Sequence, residues 1–597
     1  MNQQHECMRW TSLGLVTIAA LLASAAQAQT TTRVSVSSAG VQGNQASPES
    51  SISADGRRVA FESESANLVT GDTNGVSDIF IRDRLTALTT RASVSSAGVQ
   101  SNGSADAPLI SADSRVVVFS SQATNLILGV QTNTYDAFAR DLVTGQTELV
   151  SVTLAGTDAN DTSFATGISG DGRYVAFQSL STDLVPGDTN GLVDAFVRDR
   201  VAGVTTRVSI SSSGSQGNGL SLRPVISADG RLVAFWSEAS NLVLGDTNGV
   251  SDIFVFDRGT GVTTRVSVSS SGAQANNFCS DPSISATGRF VAFASRASNL
   301  GGVDANNLLD VFVHDRRAGT TACASVDPAG VTGNGFSHVP GLSADGRHLA
   351  FQSLGSNLVP LDTNGNFDVF VRDLVAGQTT RWSVDTSGAQ SNGSTSGVPA
   401  LSADGRVLTF CSDATNLVTS DTNNRFDAFV RALAAANSGI AICAGDGSGT
   451  ACPCANPGAA GHGCGSVQVA AGASLAASGT PSVSADSFWL SSSDLPANAA
   501  VTFVQGTGTL NGVQGVVFAN GLRCVGGLVV RLGTETHTGG TTDFGVPVGN
   551  ERISVRGGIS SLGGTVHYQA IYRDGNQSSC APATYNATNA WSTVWLP

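Results

Sequence analysis

The chain has 597 residues, of which only 13% are charged, and it carries a net charge of −14 at pH 7. Because contact with a nucleic-acid backbone is driven by cationic surface, this charge argues against nucleic acid as a partner, while it permits cations, cationic surfaces and neutral glycans. The length allows two or three domains, and the 69 glycines, with many Ser, Thr and Val residues, favour strands and tight turns over long helices.

The first 28 residues have the organisation of an export signal. Arg9 provides a positive charge, an apolar run covers 13–22, and Ala26-Gln27-Ala28 forms a small-x-small cleavage site. We therefore expect 1–28 to be a signal peptide and the mature protein to be periplasmic or extracellular; the alternative is a short anchoring helix that is not cleaved. No later segment approaches about 20 unbroken apolar residues, so no membrane span is predicted.

Seven copies of one unit fill the middle of the chain. The frame S-A-D-G, or a close variant, is spaced by 58 residues five times and then by 59, and it begins at Ser53, Ser111, Ser169, Ser227, Ser285, Ser343 and Ser402. A period this regular indicates a stack of identical supersecondary units.

Each unit is predicted to hold four short strands. In the first copy these are 31–36, 51–54, 58–62 and 78–82, with an Asp-Gly turn between the second and the third. Four strands per unit without helical periodicity predict an all-β fold, a seven-bladed β-propeller over 29–433. Because the array begins on one strand of the unit and ends on another, we expect 31–36 to complete the seventh blade and close the ring.

The repeat motifs resemble those of a known family. S-A-D-G-R-x-V-A-F followed by D-I-F-V-R-D is similar to the repeats of TolB-type propellers, which are distant relatives of WD-type blades. The resemblance covers about 31–433 and implies a binding platform of the bacterial envelope, or a non-catalytic domain of the kind found beside peptidases. This chain carries no hydrolase domain, and the resemblance names no ligand.

The loop between the third and fourth strands of the unit, 58–62 and 78–82 in the first copy, carries the pattern D-T-N-G-x-x-D. Oxygen ligands at positions 1, 3 and 7 around a glycine turn are typical of calcium loops, because Ca²⁺ takes six or more hard oxygens. Val130 and Thr132 replace the first two ligands in the second copy, which supports the alternative that these loops fold by turn chemistry alone. The candidate calcium ligands, the only cofactor site suggested, are Asp72, Asn74, Asp78, Asp188, Asn190, Asp194, Asp246, Asn248, Asp252, Asp304, Asn306, Asp310, Asp362, Asn364, Asp368, Asp421, Asn423 and Asp427.

The position after the core phenylalanine changes type from copy to copy. Around the array it reads Glu62, Ser120, Gln178, Trp236, Ala294, Gln352 and Cys411. Such variation beside fixed neighbours predicts a ligand-binding face formed by Glu62, Gln178, Trp236 and Gln352. The alternative is relaxed packing at a strand end.

A second domain is expected at 439–597, after a linker at 434–438. Segments such as 501–504 and 566–571 alternate like half-buried strands and predict a β-sandwich. In an exported chain an even set of cysteines favours disulfides over a zinc cluster of three cysteines with His462, and the pairing stays open. The six cysteines are Cys443, Cys452, Cys454, Cys464, Cys524 and Cys580.

No catalytic motif is recognisable in the sequence: it has no G-x-S-x-G elbow, no H-E-x-x-H and no Walker-type loop. We therefore expect an exported, non-enzymatic binding protein with a protein or glycan ligand. The alternative is a carbohydrate-active enzyme, a glycoside hydrolase or lyase, with its cleft on the propeller face. Acidic residues present in only one or two blades would favour the enzyme, and Trp236 lining the opening would favour binding.

Overall fold

Every element of the described residues is a β-strand. The computed structural model of the protein describes residues 29–432 except 131–133 and 302–305, and short segments between 440 and 595, most of them strands. Within 29–432 the strands form seven four-stranded antiparallel sheets, which confirms the all-β prediction and agrees with repeated propeller blades. The expected signal peptide at 1–28 and the linker at 434–438 lie outside the described residues.

The strands of the repeat array follow the chain in groups of four. The first six sheets each take four consecutive strands starting from β2, and the seventh consists of β26, β27, β28 and β1. The bounds are β1 (Thr30–Arg33), β2 (Ser50–Ile52), β3 (Arg58–Ser63), β4 (Asp78–Asp83), β5 (Leu88–Arg91), β6 (Ala105–Ile110), β7 (Val116–Ser121), β8 (Asp136–Asp141), β9 (Thr147–Leu149), β10 (Ser163–Ile168), β11 (Tyr174–Ser179), β12 (Asp194–Asp199), β13 (Val204–Arg207), β14 (Ser221–Ile226), β15 (Leu232–Ser237), β16 (Asp252–Asp257), β17 (Val262–Arg265), β18 (Cys279–Ile284), β19 (Phe290–Ser295), β20 (Asp310–Asp315), β21 (Thr320–Cys323), β22 (Ser337–Leu342), β23 (His348–Ser353), β24 (Asp368–Asp373), β25 (Gln378–Arg381), β26 (Thr395–Leu401), β27 (Val407–Ser412) and β28 (Asp427–Ala432).

Each sheet carries one stacked pair of phenylalanines on its two middle strands. Phe61 on β3 stands opposite Phe80 on β4, and their ring centroids are 5.7 Å apart. All seven sheets repeat this pair, and the rings pack against apolar residues of the preceding sheet, as Phe119 does against Ala60 and Ile79. Burial of aromatic rings between sheets is therefore the main contact that joins one repeat to the next.

The first strand of the array pairs with the last. Thr31 of β1 lies opposite Arg431 of β28 in antiparallel register, and the Arg431 guanidinium, only 2% exposed, donates to Thr31 Oγ1 at 2.7 Å. The first strands of the seven sheets, here called the inner strands (β2, β6, β10, β14, β18, β22 and β26), each contact the next, and β26 contacts β2. The seven sheets thus form a closed ring around a central opening.

The two ends of this opening differ. The inner strands all run the same way and end in the S-A-D-G turns, where backbone hydrogen bonds join neighbouring sheets, as from Ala54 N to Ala112 O and from Ala403 N to Ala54 O. In the turn itself, Ser53 Oγ donates to Asp55 Oδ1 at 2.6 Å, so this aspartate acts as a turn former. We call this the turn end and the opposite one, where the inner strands begin, the mouth.

The strands after residue 439 form their own core. A five-stranded sheet has the order β29-β38-β37-β32-β35, a three-stranded sheet the order β30-β31-β36, and β33 pairs with β34. Residues of both larger sheets, among them Phe503, Tyr568 and Phe544, share one buried cluster. The bounds are β29 (Ile440–Ile442), β30 (Ser474–Ser478), β31 (Trp489–Ser493), β32 (Ala500–Thr509), β33 (Val516–Phe518), β34 (Gly521–Arg523), β35 (Val525–Thr536), β36 (Thr542–Gly545), β37 (Gly564–Arg573) and β38 (Tyr585–Trp595).

The structure describes some of the cysteines and allows a search for membrane-spanning helices. The six C-terminal cysteines and His462 lie outside the described residues, so the disulfides stay a prediction. In the ring, Cys279 and Cys411 are buried free thiols. No helix in the described part of the chain is long and apolar enough to span a membrane.

Candidate functional site

The variable position after the core phenylalanine lies beside the inner strand of the next sheet. Three of its side chains bond to that strand's backbone: Ser120 Oγ accepts from Ala165 N at 3.0 Å, Gln178 Oε1 accepts from Arg223 N at 2.8 Å, and Gln352 Nε2 donates to Gly397 O at 2.6 Å. The sequence separation is 45 residues in each case. These polar side chains therefore tie neighbouring sheets together near the mouth.

The partner segment is a bulge in the inner strand. The register shifts between Asp106 and Leu109 in the second sheet, and similar shifts recur in five others. Non-glycine residues adopt positive φ here, with Arg223 at +47° and Asp281 at +51°. Such backbone is unfavourable for residues with a β-carbon, and a bulge re-aims the side chain it carries. At this position the chain places side chains at the mouth instead of in the core.

Charged side chains from several repeats meet at the mouth. Arg223 NH1 bonds to Asp281 Oδ1 at 2.8 Å, although the Arg223 side chain is still 52% exposed. Arg223 also lies close enough to Glu49 to favour its charged form, and Tyr135 forms a hydrogen bond with Asp106. His338 is close to the Arg223–Asp281 pair. We call this set, completed by Glu62, the mouth cluster: Glu49, Glu62, Asp106, Tyr135, Arg223, Asp281 and His338.

Three carboxyl groups of the mouth cluster, Glu49, Glu62 and Asp106, have raised pKa values. Burial, together with the nearby Asp106 and Glu49, raises the pKa of Glu62 to about 8. Burial also raises the pKa of Asp106, while its hydrogen bond with Tyr135 opposes this shift. Like charges crowded in a partly desolvated place take up protons or attract a cation. The mouth cluster can therefore bind a cationic group or exchange a proton near neutral pH.

Only one of the four predicted face residues belongs to the mouth cluster. Glu62 is part of it, Gln178 touches it through the backbone of Arg223, and Gln352 is buried at 2% exposure. Trp236 packs with Leu232 and other apolar residues against the core between the fourth and fifth sheets. The remaining members of the mouth cluster were not predicted from the sequence. A signal was present, because position 49 and its equivalents vary between the repeats as strongly as position 62 does.

The aspartate loops are filled with hydrogen-bond donors. In the first repeat Gln100 Nε2 donates to Asp72 Oδ1 at 2.9 Å, and Asn74 Nδ2 donates to Asp78 Oδ2 at 3.0 Å. The Arg91 guanidinium lies 3.4 Å from Asp78 and 3.8 Å from Asp72. Asn74 turns its oxygen to the backbone N–H of Val76 rather than to the carboxylates. A cation, the guanidinium, already occupies the space between the two acids.

The same arginine recurs in the loops of five repeats. Its copies are Arg91, Arg207, Arg265, Arg381 and Arg33, each within 4 Å of two loop aspartates. Among the described residues, no three His, Cys, Asp or Glu side chains converge as metal ligands. This geometry favours the turn-chemistry alternative, and calcium stays a prediction. In the fifth repeat Cys323 replaces the arginine, but Asp304 lies outside the described residues.

Comparison with known proteins finds β-propeller structures to which this chain is similar. No protein-family profile and no curated protein matches it. Three similar solved structures are TolB from Acinetobacter baumannii (14% identity, 55% of this chain and 64% of that one, TM-score 0.33), the β-propeller domain of the Trilobed protease from Pyrococcus furiosus (9%, 65% and 96%, TM-score 0.38) and an acylaminoacyl peptidase from Pyrococcus horikoshii (12%, 62% and 49%, TM-score 0.37). The chain thus spans less than two thirds of the length of that TolB. The solved structures that this chain is similar to are TolB and other β-propeller proteins.

Proposed function

We propose that this protein is an exported, non-enzymatic binding protein that holds its ligand at the mouth of a β-propeller. The observation that carries this proposal is the mouth cluster. Its residues come from different repeats and depart from the repeat frame, whereas the turn end is built from nearly identical S-A-D-G turns. Concave ends of ring-shaped folds are common binding sites, and charge that the frame does not require is best explained by a ligand.

The charges of the mouth cluster favour a cationic ligand. Glu49, Glu62, Asp106 and Asp281 contribute four carboxyl groups, and Arg223 contributes the one guanidinium. Arg223 is already paired with Asp281. A basic segment of a protein or peptide matches this arrangement better than a neutral glycan does, because its cations would stabilise the ionised form of the remaining three carboxyl groups.

Calorimetric titration with an arginine-rich peptide tests the ligand class. The double variant Glu49→Gln/Asp106→Asn should weaken binding about tenfold or more, since hydrogen bonds to charged groups contribute about 1.5–3 kcal/mol each. The control Glu148→Gln removes an exposed acid that pairs with Arg200 and should leave binding unchanged. Absence of binding to the unaltered protein at low salt, or equal binding by the double variant, would overturn the proposal.

Export is tested separately from ligand binding. In a Gram-negative host, the full chain should be recovered outside the cytoplasm with Gln29 as its first residue, because cleavage is expected after Ala28. Uncleaved protein that stays in the cytoplasm would contradict the export proposal and would leave the ligand proposal standing.

One observation supports the enzyme alternative as a second candidate. Glu62 and Asp106 occur in only one repeat each, and a glutamic acid with a pKa of about 8 is suited to act as a general acid. A screen of the purified protein against polysaccharides should find cleavage that is lost in Glu62→Gln if this candidate holds. Cleavage that persists in the variant, or no cleavage of any substrate, would reject it.

A further inference from the structure

A shallow groove lies at the turn end of the fifth sheet. It has a volume of about 300 Å³ and is lined by Thr287, Gly288, Arg289, Arg316 and Arg317. These residues come from two turns: the one that joins β18 to β19 and the one that joins β20 to β21. The groove and the mouth cluster therefore lie at opposite ends of the inner strands.

The seven repeats provide an internal comparison for this groove. At the position of Thr287 all six other repeats have an aspartate, namely Asp55, Asp113, Asp171, Asp229, Asp345 and Asp404. At the position of Arg317 they have an apolar residue or glycine, namely Leu85, Val143, Val201, Gly259, Val375 and Leu433. The fifth repeat has thus lost a carboxylate and gained a guanidinium at the two turns that line one groove.

The exchange does not improve the turn. In the fourth repeat Asp229 Oδ1 accepts from Ser227 Oγ at 2.6 Å and from Arg231 N at 3.0 Å. In the fifth repeat the corresponding bond, from Arg289 N to Thr287 Oγ1, has lengthened to 3.4 Å. A weaker turn contact argues that the local fold is not what Thr287 serves.

The groove carries more positive charge than its acids neutralise. Arg289 is engaged by Asp315 at 2.7 Å, and Arg316 donates to Gly288 O at 2.8 Å. Arg317 is exposed and makes no ion pair with any residue that the structure describes. In the fourth repeat two arginines at these turns face two aspartates. In the fifth, three arginines face Asp315, and the neighbouring Asp257, which also acts on Arg316, is already paired with Arg231 at 2.7 Å. This excess is local, since the whole chain has a net charge of −14.

We propose that the groove formed by Thr287, Arg289, Arg316 and Arg317 binds a tetrahedral oxyanion, a phosphate or sulfate group, either free or as an ester. Guanidinium groups present forked donors that match such oxygens, and the Thr287 hydroxyl adds another donor. Because the groove is open to solvent, binding weakens as salt is added. The site lies apart from the mouth cluster and does not depend on the function proposed there.

Equilibrium dialysis with labelled phosphate and sulfate, and with a sugar monosulfate, tests the proposal and distinguishes a free anion from an ester. The variants Thr287→Asp and Arg317→Val restore residues that other repeats carry at these positions, so both should fold with an unchanged melting temperature. Each should weaken anion binding about tenfold or more, and the double variant should abolish it.

Arg115→Gln is the matched control. It removes an arginine at the turn end of the second repeat that is 51% exposed and pairs with Asp141. Binding should be unchanged in this variant, because the second repeat keeps its turn aspartate. The proposal is overturned if the unaltered protein shows no saturable binding of any of the three anions at low salt, or if Thr287→Asp and Arg317→Val bind as well as it does.

Discussion

Replacing Arg265 by leucine should destabilise the ring by about 3 kcal/mol, because two buried loop acids would lose their counter-charge. The Arg265 guanidinium lies 3.3 Å from Asp246 and 3.4 Å from Asp252, and the two carboxylates are 5% and 0% exposed. Coulomb's law with an effective dielectric constant of about 20 gives roughly 5 kcal/mol for unit charges at this separation. Desolvation of the guanidinium, together with the donors that remain on the carboxylates, offsets part of this energy.

The second repeat supplies the compensating change. It has Val130 where the fourth repeat has Asp246, and Leu149 where it has Arg265. Val130 is buried at 4% exposure, so that loop folds with an apolar residue in place of the acid. The double variant Asp246→Val/Arg265→Leu should therefore recover about 1–2 kcal/mol relative to Arg265→Leu alone, a coupling typical of contacting residues.

Urea unfolding followed by circular dichroism measures both variants. The dependence of stability on urea should stay unchanged, so that the shift in midpoint reports the free energy of unfolding. The reasoning is refuted if Arg265→Leu costs less than about 1 kcal/mol, or if the losses in the double variant add with no coupling.

Further predictions concern the mouth, the ring closure, the aspartate loops and the C-terminal cysteines. Since the pKa of Glu62 rises from 4.5 to about 8 on folding, stability should fall as pH rises through that interval, and Glu62→Gln should become the more stable protein above it. Deleting 29–37 should expose the edge of β28, so the truncated protein should aggregate or melt lower; an unchanged monomer contradicts this. Calcium binding requires a gain of about 2.7 kcal/mol per site at roughly 100 times the Kd, and melting curves that superimpose in calcium and in chelator exclude it. Mass spectrometry after alkylation without reduction should find the six C-terminal cysteines oxidised, and six alkylated thiols would exclude the disulfides.

The repeat made the strands and turns predictable from the sequence. A spacing of 58 residues aligns every Asp-Gly turn and every core phenylalanine, and alternation within each copy marks which residues face the core. The fourth predicted strand of the first copy, 78–82, corresponds to Asp78–Asp83 in the structure. Local patterns are sufficient here because six of the seven sheets are built from four strands that are consecutive in the chain.

The mouth cluster was not predictable in the same way. Asp106 and Arg223 are far apart in the chain, and only the closed ring brings their inner strands to one opening. The bulge in six of the seven inner strands also breaks the regular alternation, so the side chains that reach the mouth are not those that a regular strand would present. Trp236 stands at the position of Glu62 in the fourth repeat, and there it packs against apolar residues between the fourth and fifth sheets.

The arginine that pairs with the loop aspartates could have been found from the sequence, by asking which positions change together from one repeat to another. In the second repeat the loop acid and the arginine of the fourth strand are lost together, as Val130 and Leu149. Coupled loss of an acid and a base points to an ion pair, whereas calcium ligands would have no reason to vary with an arginine. The loop by itself shows only oxygen ligands, so its pattern alone does not reveal the arginine on the neighbouring strand.

Charges of the frame and charges outside it have different consequences for this protein. The frame pairs its arginines with acids within each repeat, as Arg57 pairs with Asp83 at 2.8 Å and Arg91 with Asp72 and Asp78. The residues that depart from the frame add acidic groups at the mouth and a basic group at the groove of the fifth sheet. A ring of this kind can bind ligands of opposite charge at its two ends without changing its core, because the substitutions that select a ligand lie in bulges and turns and not in the phenylalanine-packed sheets.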